Sequence, residues 1–360
     1  METRPARFSP EIRRALRVDV SAALLFTVFA SLTTPFIGLI LRRELGATPL
    51  QLSVMSAAGG ACLLLSLAWA RALGGRPPLP YLVWPSFVAR GLFLFVPLAS
   101  SAWSFVSLVV AANVFGAAAA PAQAAVVERL PAAAVLGMAA SLRQRSLPVP
   151  AAAENGERAV GGLRQAWAAV RDDDVFRRLL VASFLFGAGC WIQTPAHPLL
   201  LVDVLHVSAA QVGVFAAAAA VATLVGSAWW GELVDRRSSL DALWMMYVVG
   251  AATPAICALA WNPWMLVASS VTDALFGIGL DLVWMIVVID LAGPRRAAQY
   301  VAIGATLAGV RGVLGPLLGG LVIWALGVRA VYLVALALMA GAAWLVARES
   351  GRHAVVYCQS

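Results

Sequence analysis

Charged side chains are scarce in the long apolar runs of this sequence, and three of them occur in neighbouring runs. Asp273 and Asp281 fall within the run at residues 264–291, and Arg311 lies at the centre of the next run, at 298–324. If both runs are antiparallel helices, a rise of about 1.5 Å per residue brings Arg311 within about 6 Å in depth of both aspartates. Arg311 can then neutralise one carboxylate and leave the other free to titrate. The alternative is a permanent Asp–Arg pair that only holds the helices together.

Four further polar side chains inside apolar runs predict the lining of a central cavity. Gln193 and His197 are one helical turn apart, so both can face the same side of a helix. Asn113 lies in an earlier run, and Thr34 directly precedes Pro35, where a hydroxyl can satisfy a carbonyl freed by the proline. Each assignment has an alternative. Instead of lining a cavity, His197 would be a polar residue at the membrane surface; instead of a moving part, the Thr-Pro bend would be a fixed kink.

No pattern typical of an enzyme or of a cofactor site accompanies these residues. The four cysteines show neither a CxxC spacing nor a Cys/His cluster, so we predict no disulfide and no metal site. The sequence has no phosphate-binding glycine loop, which excludes the direct use of ATP. Asp172, Asp173 and Asp174 precede an apolar run, where carboxylates favour a helix N-terminus. We therefore predict no catalytic residue and no cofactor.

The composition indicates where such isolated charges must lie. Of the 360 residues, 61% are hydrophobic and only 12% are charged, and the mean hydropathy is +0.85. A soluble domain does not have this balance, whereas a protein that crosses the lipid bilayer several times does. All the basic residues are arginines, and most of them occupy short loops between apolar runs. The net charge of +8 therefore reflects membrane topology and not a nucleic-acid-binding surface.

Ten apolar runs are long enough to cross a membrane as helices, since a span needs about 20 residues. Four precede a polar gap and six follow it, which predicts an all-α polytopic protein. The runs cover residues 19–41, 50–73, 80–99, 102–127, 179–203, 209–230, 240–260, 264–291, 298–324 and 328–347. Because most arginines fall on one side of these runs, that side and both termini are predicted to be cytoplasmic.

The runs group into two predicted bundles. An incomplete four-helix bundle occupies residues 1–130, and a six-helix bundle occupies 177–348. Between them, 131–176 is predicted to be a cytoplasmic linker that contains an amphipathic helix, because apolar residues recur there at helical spacing beside arginines. Residues 349–360 form a predicted cytoplasmic tail.

An internal repeat relates the two groups of runs. Thr34-Pro35 recurs 160 positions later as Thr194-Pro195. At the same offset, further pairs are Gln51 with Gln211, Trp69 with Trp229 and Arg76 with Arg236. Parallel repeats of membrane helices are typical of secondary transporters.

The loop at residues 231–237 identifies a family that the chain resembles. Gly231, Asp235, Arg236 and Arg237 lie between two apolar runs in the pattern Gly-x-Leu-Val-Asp-Arg-Arg, which resembles the cytoplasmic loop signature of the major facilitator superfamily. The resemblance implies two pseudo-symmetric helical bundles and a latch in which Asp235 pairs with Arg236 or Arg237. A solvated loop charge is the simpler interpretation. A Gly-Pro motif of the same family, used for helix packing, resembles Gly312, Gly315, Pro316 and Gly319.

The resemblance also implies a function. It implies a secondary active transporter of the bacterial cytoplasmic membrane, which moves a small solute by alternating access and is coupled to an ion such as the proton. Helices 19–41, 102–127, 179–203 and 264–291 would line its cavity. Asp273 and Asp281 would then serve in coupling, with Arg311 as their counter-charge.

The resemblance is incomplete in the first half, where two helices of the family are missing after the fourth run. This gap predicts weak transport by an isolated chain. It also leaves open a different function, that of a non-transporting or decayed family-like protein that acts as a structural or interaction partner.

Overall fold

The structure, a computed structural model, describes residues 33–73, 78–118 and 174–357. In these ranges the chain consists of helices joined by short turns, without a β-strand, as predicted. The start of the first predicted span and the end of the fourth lie outside the described residues. So does nearly all of the predicted linker, together with the gap it was expected to contain.

The first half contributes four helical segments. They are α1 (residues 33–43), α2 (Pro49–Leu73), α3 (Pro78–Leu92, continued by a 3-10 helix at Phe93–Leu98) and α4 (Ala102–Gly116).

The second half contributes six. They are α5 (Asp174–Ile192, continued by Ala196–Leu199 and a π-helical turn at Leu200–Val204), α6 (Ala209–Arg236), α7 (Ser239–Leu259), α8 (Met265–Val288), α9 (Ile303–Leu326) and α10 (Val328–Tyr357).

Helices α8 and α9 are parts of one uninterrupted helical stretch, Met265–Leu326, which nevertheless doubles back on itself. Val288 and Ile303 belong to one buried cluster, against which Trp284 and Leu307 also pack. A straight helix would separate Trp284 from Leu307 by about 35 Å. The chain must therefore reverse between Val288 and Ile303, which makes α8 and α9 the antiparallel pair that the sequence predicts.

Seven of the described helices, α2 and α5 to α10, are long and apolar enough to cross a membrane. Two shorter apolar helices lie at Val83–Leu98 and Ala102–Gly116. The chain is therefore an integral membrane protein surrounded by the lipid bilayer. The exact count of ten crossings and the cytoplasmic position of both termini stay predictions.

The repeat is visible in the caps that begin α2 and α6. At α2, the side chain of Gln51 accepts a hydrogen bond from the backbone N–H of Thr48 (2.8 Å), and the Thr48 hydroxyl caps Gln51 in return. At α6, Gln211 and Ser208 form the same reciprocal pair, with a distance of 2.9 Å from the Ser208 nitrogen to Gln211 Oε1. The paired glutamines are thus capping residues, which satisfy backbone groups at a helix start.

A tryptophan fixes the second helix of each repeat to the fourth. Trp69 Nε1 donates to the carbonyl oxygen of Val114 (3.1 Å), and Trp230 Nε1 donates to that of Leu275 (2.8 Å). The residue equivalent to Trp69 is therefore Trp230, one position beyond the predicted Trp229. Trp229 is partly exposed, whereas Trp230 is fully buried. An offset of 160 at the start of α6 thus becomes 161 at its end.

Close backbone contacts join the two halves. A methyl group on Gly312 of α9 would lie 2.6 Å from the Cα atom of Gly60 of α2, and one on Gly38 of α1 would lie 2.6 Å from Pro198 Cγ of α5. Such contacts between small residues let membrane helices approach closely. One buried cluster extends across both halves near these contacts, and a second lies within the second half between α5, α7 and α10.

Candidate functional site: a cavity between the two halves

A cavity of about 1110 Å³ lies between the two halves of the bundle. Both halves contribute walls, and the lining includes all four predicted cavity residues and one of the predicted coupling residues. These are Thr34, Asn113, Gln193, His197 and Asp273. The four helices expected to line the cavity do so, and α2, α3, α6, α7 and α10 add further residues.

Asp273 lies on α8 and faces the cavity. Its carboxylate is exposed there, and it has no hydrogen bond or ion pair to any other residue that the structure describes. It is close enough to the thiols of Cys190 on α5 and Cys257 on α7 to act on both electrostatically. A carboxylate without a partner inside a membrane protein is costly, so its position demands a proton, water or a ligand.

Arg311 does not line the cavity. Its guanidinium packs between α9 and α5 against Gly187, where any side chain would collide with it. Its Nη1 atom donates a hydrogen bond to the carbonyl oxygen of Ser183. Of its two predicted partners, Asp273 forms no ion pair with it among the described residues. The physical reason is the missing side chain at Gly187, which opens a niche for the guanidinium away from the cavity.

The side chain of Asp281 lies outside the described residues, so its pairing with Arg311 stays a prediction. Cys190 lies near both Arg311 and Asp273 and interacts electrostatically with each. Arg311 contacts α5 at Ser183 and Gly187, whereas Cys190, further along the same helix, lines the cavity with Asp273.

Two buried polar atoms on the second-half wall have no hydrogen-bond partner in the described structure. They are Gln193 Oε1 on α5 and the hydroxyl oxygen of Tyr332 on α10. Both residues line the cavity, and only 1% of Tyr332 is exposed. Buried polar groups in folded proteins are almost always hydrogen-bonded, so these two atoms are the unsatisfied polar groups of the described second-half wall.

The neighbouring hydroxyls on the same wall are already paired. Cys257 Sγ lies 3.1 Å from Ser269 Oγ, and Thr253 Oγ1 lies 2.9 Å from Thr272 Oγ1. These pairs join α7 to α8 at positions four residues and one residue before Asp273. They fix the backbone next to Asp273, and they use none of the hydrogen-bonding capacity of its carboxylate.

The bend in α5 shapes the wall that carries Gln193 and His197. The helix ends at Ile192 and resumes at Ala196, after the Thr194-Pro195 turn. Thr194 Oγ1 donates to the carbonyl oxygen of Trp191 (2.8 Å), which satisfies one of the groups that Pro195 cannot. The π-helical turn Leu200–Val204 follows. Such irregular backbone is stable at membrane depth only where it borders protein or a cavity.

An ion pair joins the two halves at the end of the bundle where α1 ends, which we call the outer end because it is predicted to be extracellular. Arg42 Nη2 lies 2.9 Å from Asp203 Oδ2, and Arg42 Nε lies 3.1 Å from both carboxylate oxygens. Arg42 Nη1 also donates to the carbonyl oxygen of Ala47 (2.7 Å), and Arg43 donates to that of Val207. The outer end of the cavity is therefore closed by contacts between α1 and α5.

The loop signature differs from its predicted arrangement. Arg236 pairs with Glu232 one turn earlier in α6, at 2.6 Å, and not with Asp235. Asp235 and Arg237 are exposed, and neither forms an ion pair with another described side chain. Both Arg236 and Glu232 face solvent, so the i,i+4 pair forms at little cost within one helix. A latch through Asp235 stays a prediction.

The Gly-Pro motif of α9 lies at close helix contacts. Gly312 touches Gly60 of α2, whereas a methyl group on Gly315 would lie 2.7 Å from Trp191 Cβ of α5. Gly319 faces the carbonyl oxygen of Ile192, and Pro316 is buried within the same helix. Helix α9 thus packs on one helix from each half along its glycine face.

Sequence reasoning missed the contribution of Tyr332 and the Arg42–Asp203 pair. Tyr332 lies early in the last run, and nothing in its spacing distinguishes it from a surface residue. The ion pair could have been inferred from the repeat, because Arg43 and Asp203 are equivalent positions 160 residues apart. Equivalent positions can meet only near the axis that relates the two halves.

The comparisons with known proteins agree with this architecture. Residues 179–355, which make up the second half, match the family model of the Major Facilitator Superfamily. No curated protein matches the chain significantly. The fold resembles that of a bacterial homologue of the human lysosomal transporter Spinster, in an inward-facing and unoccupied conformation, with a TM-score of 0.62 and 13% identity over 94% of this chain and 97% of that one.

The nucleoside transporter NupG has a similar fold, with a TM-score of 0.66 and 13% identity over 89% of this chain and 95% of that one. At 13% identity these structures show the fold alone, and the family match covers the second half. The repeat, the loop at 231–237 and the cavity between the halves agree with both. Residues 179–355 therefore belong to the Major Facilitator Superfamily, and the chain is a membrane transporter, not an enzyme.

Proposed function

We propose that this chain moves a small solute across the bacterial cytoplasmic membrane by alternating access, and that protons are coupled to the movement through Asp273. The observation that carries the proposal is the unpaired carboxylate of Asp273 in a cavity enclosed by both halves. A carboxylate in such a site gains most from neutralisation, either by a proton or by a cationic group.

The contacts between the halves support the alternating part of the proposal. The ion pair Arg42–Asp203 and the hydrogen bond from Arg43 close the outer end. Breaking them lets α1 and α5 separate, and their Thr-Pro bends at Thr34 and Thr194 are suitable hinges. The cavity would then open towards the outside, while new contacts between the two halves close its inner end.

Each side chain has a distinct part in the proposed cycle. Asp273 takes up and releases the proton, and Gln193, His197, Asn113 and Thr34 contact the solute or its water. Arg311 provides positive charge behind the α5 wall, which favours the ionised form of the nearest carboxylate once the proton leaves.

The test uses purified protein in proteoliposomes that contain a pH-sensitive dye. A panel of small solutes is added outside, and solute-driven pH changes are recorded for the original chain, Asp273→Asn and Asp290→Asn. Asp290 is an exposed carboxylate at the predicted inner end of the same helical stretch, so its variant is the matched control. We expect proton movement in the original chain and in Asp290→Asn, and none in Asp273→Asn.

Two outcomes would contradict the proposal in different ways. Solute uptake without any pH change, and with no effect of Asp273→Asn, would leave a transporter that is not proton-coupled. A chain that never exposes its cavity to the outside would instead favour the non-transporting partner. That exposure is measured with a reporter cysteine, Ser56→Cys, in a chain whose four native cysteines are replaced, because Ser56 lines the cavity.

A further inference from the structure

We propose that the solute is an amphipathic organic amine, bound with its protonated nitrogen at Asp273 and its N–H groups directed to Gln193 and Tyr332. This inference rests on the proposed transport function and specifies the chemical class of its substrate.

The first argument is the hydrogen-bonding character of the unpaired groups. Asp273 offers only acceptor oxygens, and the unpaired atom of Gln193 is the acceptor Oε1. The hydroxyl of Tyr332 can accept as well as donate. All three residues line one cavity, from α8, α5 and α10. A group that satisfies all three must bring several donors, and a protonated amine brings up to three.

The second argument is that these groups lie near one another. Asp273 acts electrostatically on Cys257, and Cys257 in turn acts on Tyr332. Asp273 also acts on Cys190, which is one turn before Gln193 on the cavity side of α5. Asp273, Gln193 and Tyr332 all line this one cavity, so a single ligand that fills it lies beside all three residues.

The third argument is charge. Asp273 is the one carboxylate among the cavity residues that the structure describes, whereas the cationic side chain there, Arg90, belongs to α3 on the opposite half. Arg90 already interacts with another residue. Arg311 does not reach the cavity and donates to Ser183. His197 faces the cavity as the one further titratable nitrogen of the described wall. The second-half wall thus has a negative charge that no described side chain neutralises by contact.

The fourth argument concerns the remainder of the wall, most of whose surface is apolar. Phe93, Val109, Leu201, Val212 and Phe215 surround the polar cluster. A volume of about 1110 Å³ slightly exceeds the range of about 300–1,000 Å³ for sites that enclose drug-sized ligands. A ligand that carries one amine on an aromatic or aliphatic body matches this distribution, whereas a sugar-like solute would leave most of its hydroxyls against hydrocarbon.

The proposal is tested with three compounds of one carbon skeleton: 4-phenylbutylamine, 4-phenylbutanol and 4-phenylbutanoate. Binding to the purified full chain in detergent is measured by calorimetry and by the shift of the unfolding temperature, at a pH where the amine is protonated. The alcohol is the control for partitioning into the micelle and for the apolar contribution. The variants are Asp273→Asn, Tyr332→Phe and the control Asp290→Asn.

We expect the amine to bind about tenfold more tightly than the alcohol, because a charge-assisted hydrogen bond replaces a neutral one. The carboxylate should bind more weakly than the alcohol. Asp273→Asn should abolish the difference between amine and alcohol, Tyr332→Phe should reduce it, and Asp290→Asn should preserve it. If Asp273→Asn fails to fold, the reduced preference of Tyr332→Phe still tests the site.

Equal binding of amine and alcohol, or an amine preference that survives in both cavity variants, would overturn the proposal. Tighter binding of 4-phenylbutanoate than of the amine would overturn it too and would indicate an anion site at Arg90. In each case, labelling of Ser56→Cys from both sides of the membrane would show that the transport cycle itself stands. If Ser56→Cys, with no cavity variant added, is not labelled from both sides, the proposed transport function is contradicted, whichever compound binds.

Discussion

Neutralising Arg42 should open the outer end of the cavity. In Arg42→Gln, the contacts of Arg42 Nε and Nη2 with Asp203 at 2.9–3.1 Å are lost. The pair is partly exposed, with 28% of Arg42 and 36% of Asp203 accessible to solvent, so water screens it in both conformations. An exposed pair contributes about 0.2–1 kcal/mol, and bidentate geometry favours the upper end of that range.

About 1 kcal/mol corresponds to a factor of about five in a conformational equilibrium at 25 °C. If the closed form dominates, the open population of Arg42→Gln should therefore rise about fivefold. A membrane-impermeant thiol reagent added from outside reports this population, because Ser56→Cys is reached only through the open outer end. Its labelling rate should rise by the same factor, and Asp203→Asn should behave alike.

The structure also provides the controls. Arg329 donates to the carbonyl oxygen of Ala260 at 2.9 Å within the second half, so Arg329→Gln removes an arginine at the same end without separating the halves. Its labelling rate should stay unchanged. The double variant Arg42→Gln/Asp203→Asn should open no more than either single variant, since both remove one interaction. Unchanged labelling in Arg42→Gln, or an equal increase in Arg329→Gln, would refute the assignment of this pair as a gate.

Three further predictions concern stability. Gly312→Val should lower the unfolding temperature by several degrees because its side chain would meet Gly60, whereas Gly277→Ala, with no atom near its added methyl group, should not. Arg178→Ala should lower the free energy of unfolding by about 2 kcal/mol, because it removes a 2.9 Å ion pair with Glu349, which is only 4% exposed. If the loss in the double variant Arg178→Ala/Glu349→Gln equals the sum of the two single losses, the two residues are not coupled. Trp230→Phe should cost about 1 kcal/mol through the lost hydrogen bond to Leu275, and Trp229→Phe, at the partly exposed neighbour, should cost much less.

The sequence was sufficient to predict the all-helical architecture, the antiparallel α8–α9 pair and five polar or charged residues of the cavity lining. These features follow from apolar run length and from isolated polar residues, which membrane physics allows only at protected positions. The position of Arg311, which forms no ion pair with Asp273 among the described residues, could not be predicted in the same way. Depth in the bilayer places both residues at one level, but the direction of each side chain around its helix depends on the niche that Gly187 opens.

The register of the repeat was likewise beyond the sequence alone. Trp229 and Trp230 are adjacent and chemically identical, so an alignment at constant offset selects Trp229. The structure selects Trp230, because only its indole N–H reaches the carbonyl oxygen of Leu275 as Trp69 reaches that of Val114. A hydrogen bond conserved between the two halves of one chain is therefore a better guide to equivalence than residue identity.

The pseudo-symmetry also explains why the two copies must differ at the outer end. Gly38 packs against Pro198, its own equivalent at an offset of 160, so the axis that relates the halves passes close to α1 and α5 there. Identical residues next to such an axis face each other. Had the second copy kept an arginine at position 203, it would have met Arg42 and Arg43 and repelled them. Asp203 in the place of Arg43 turns this repulsion into the ion pair that closes the cavity. The charge asymmetry between the repeats is thus what permits a stable closed state, and reversing both charges, with Arg42→Asp and Asp203→Arg, should restore the closed state that either single reversal destroys.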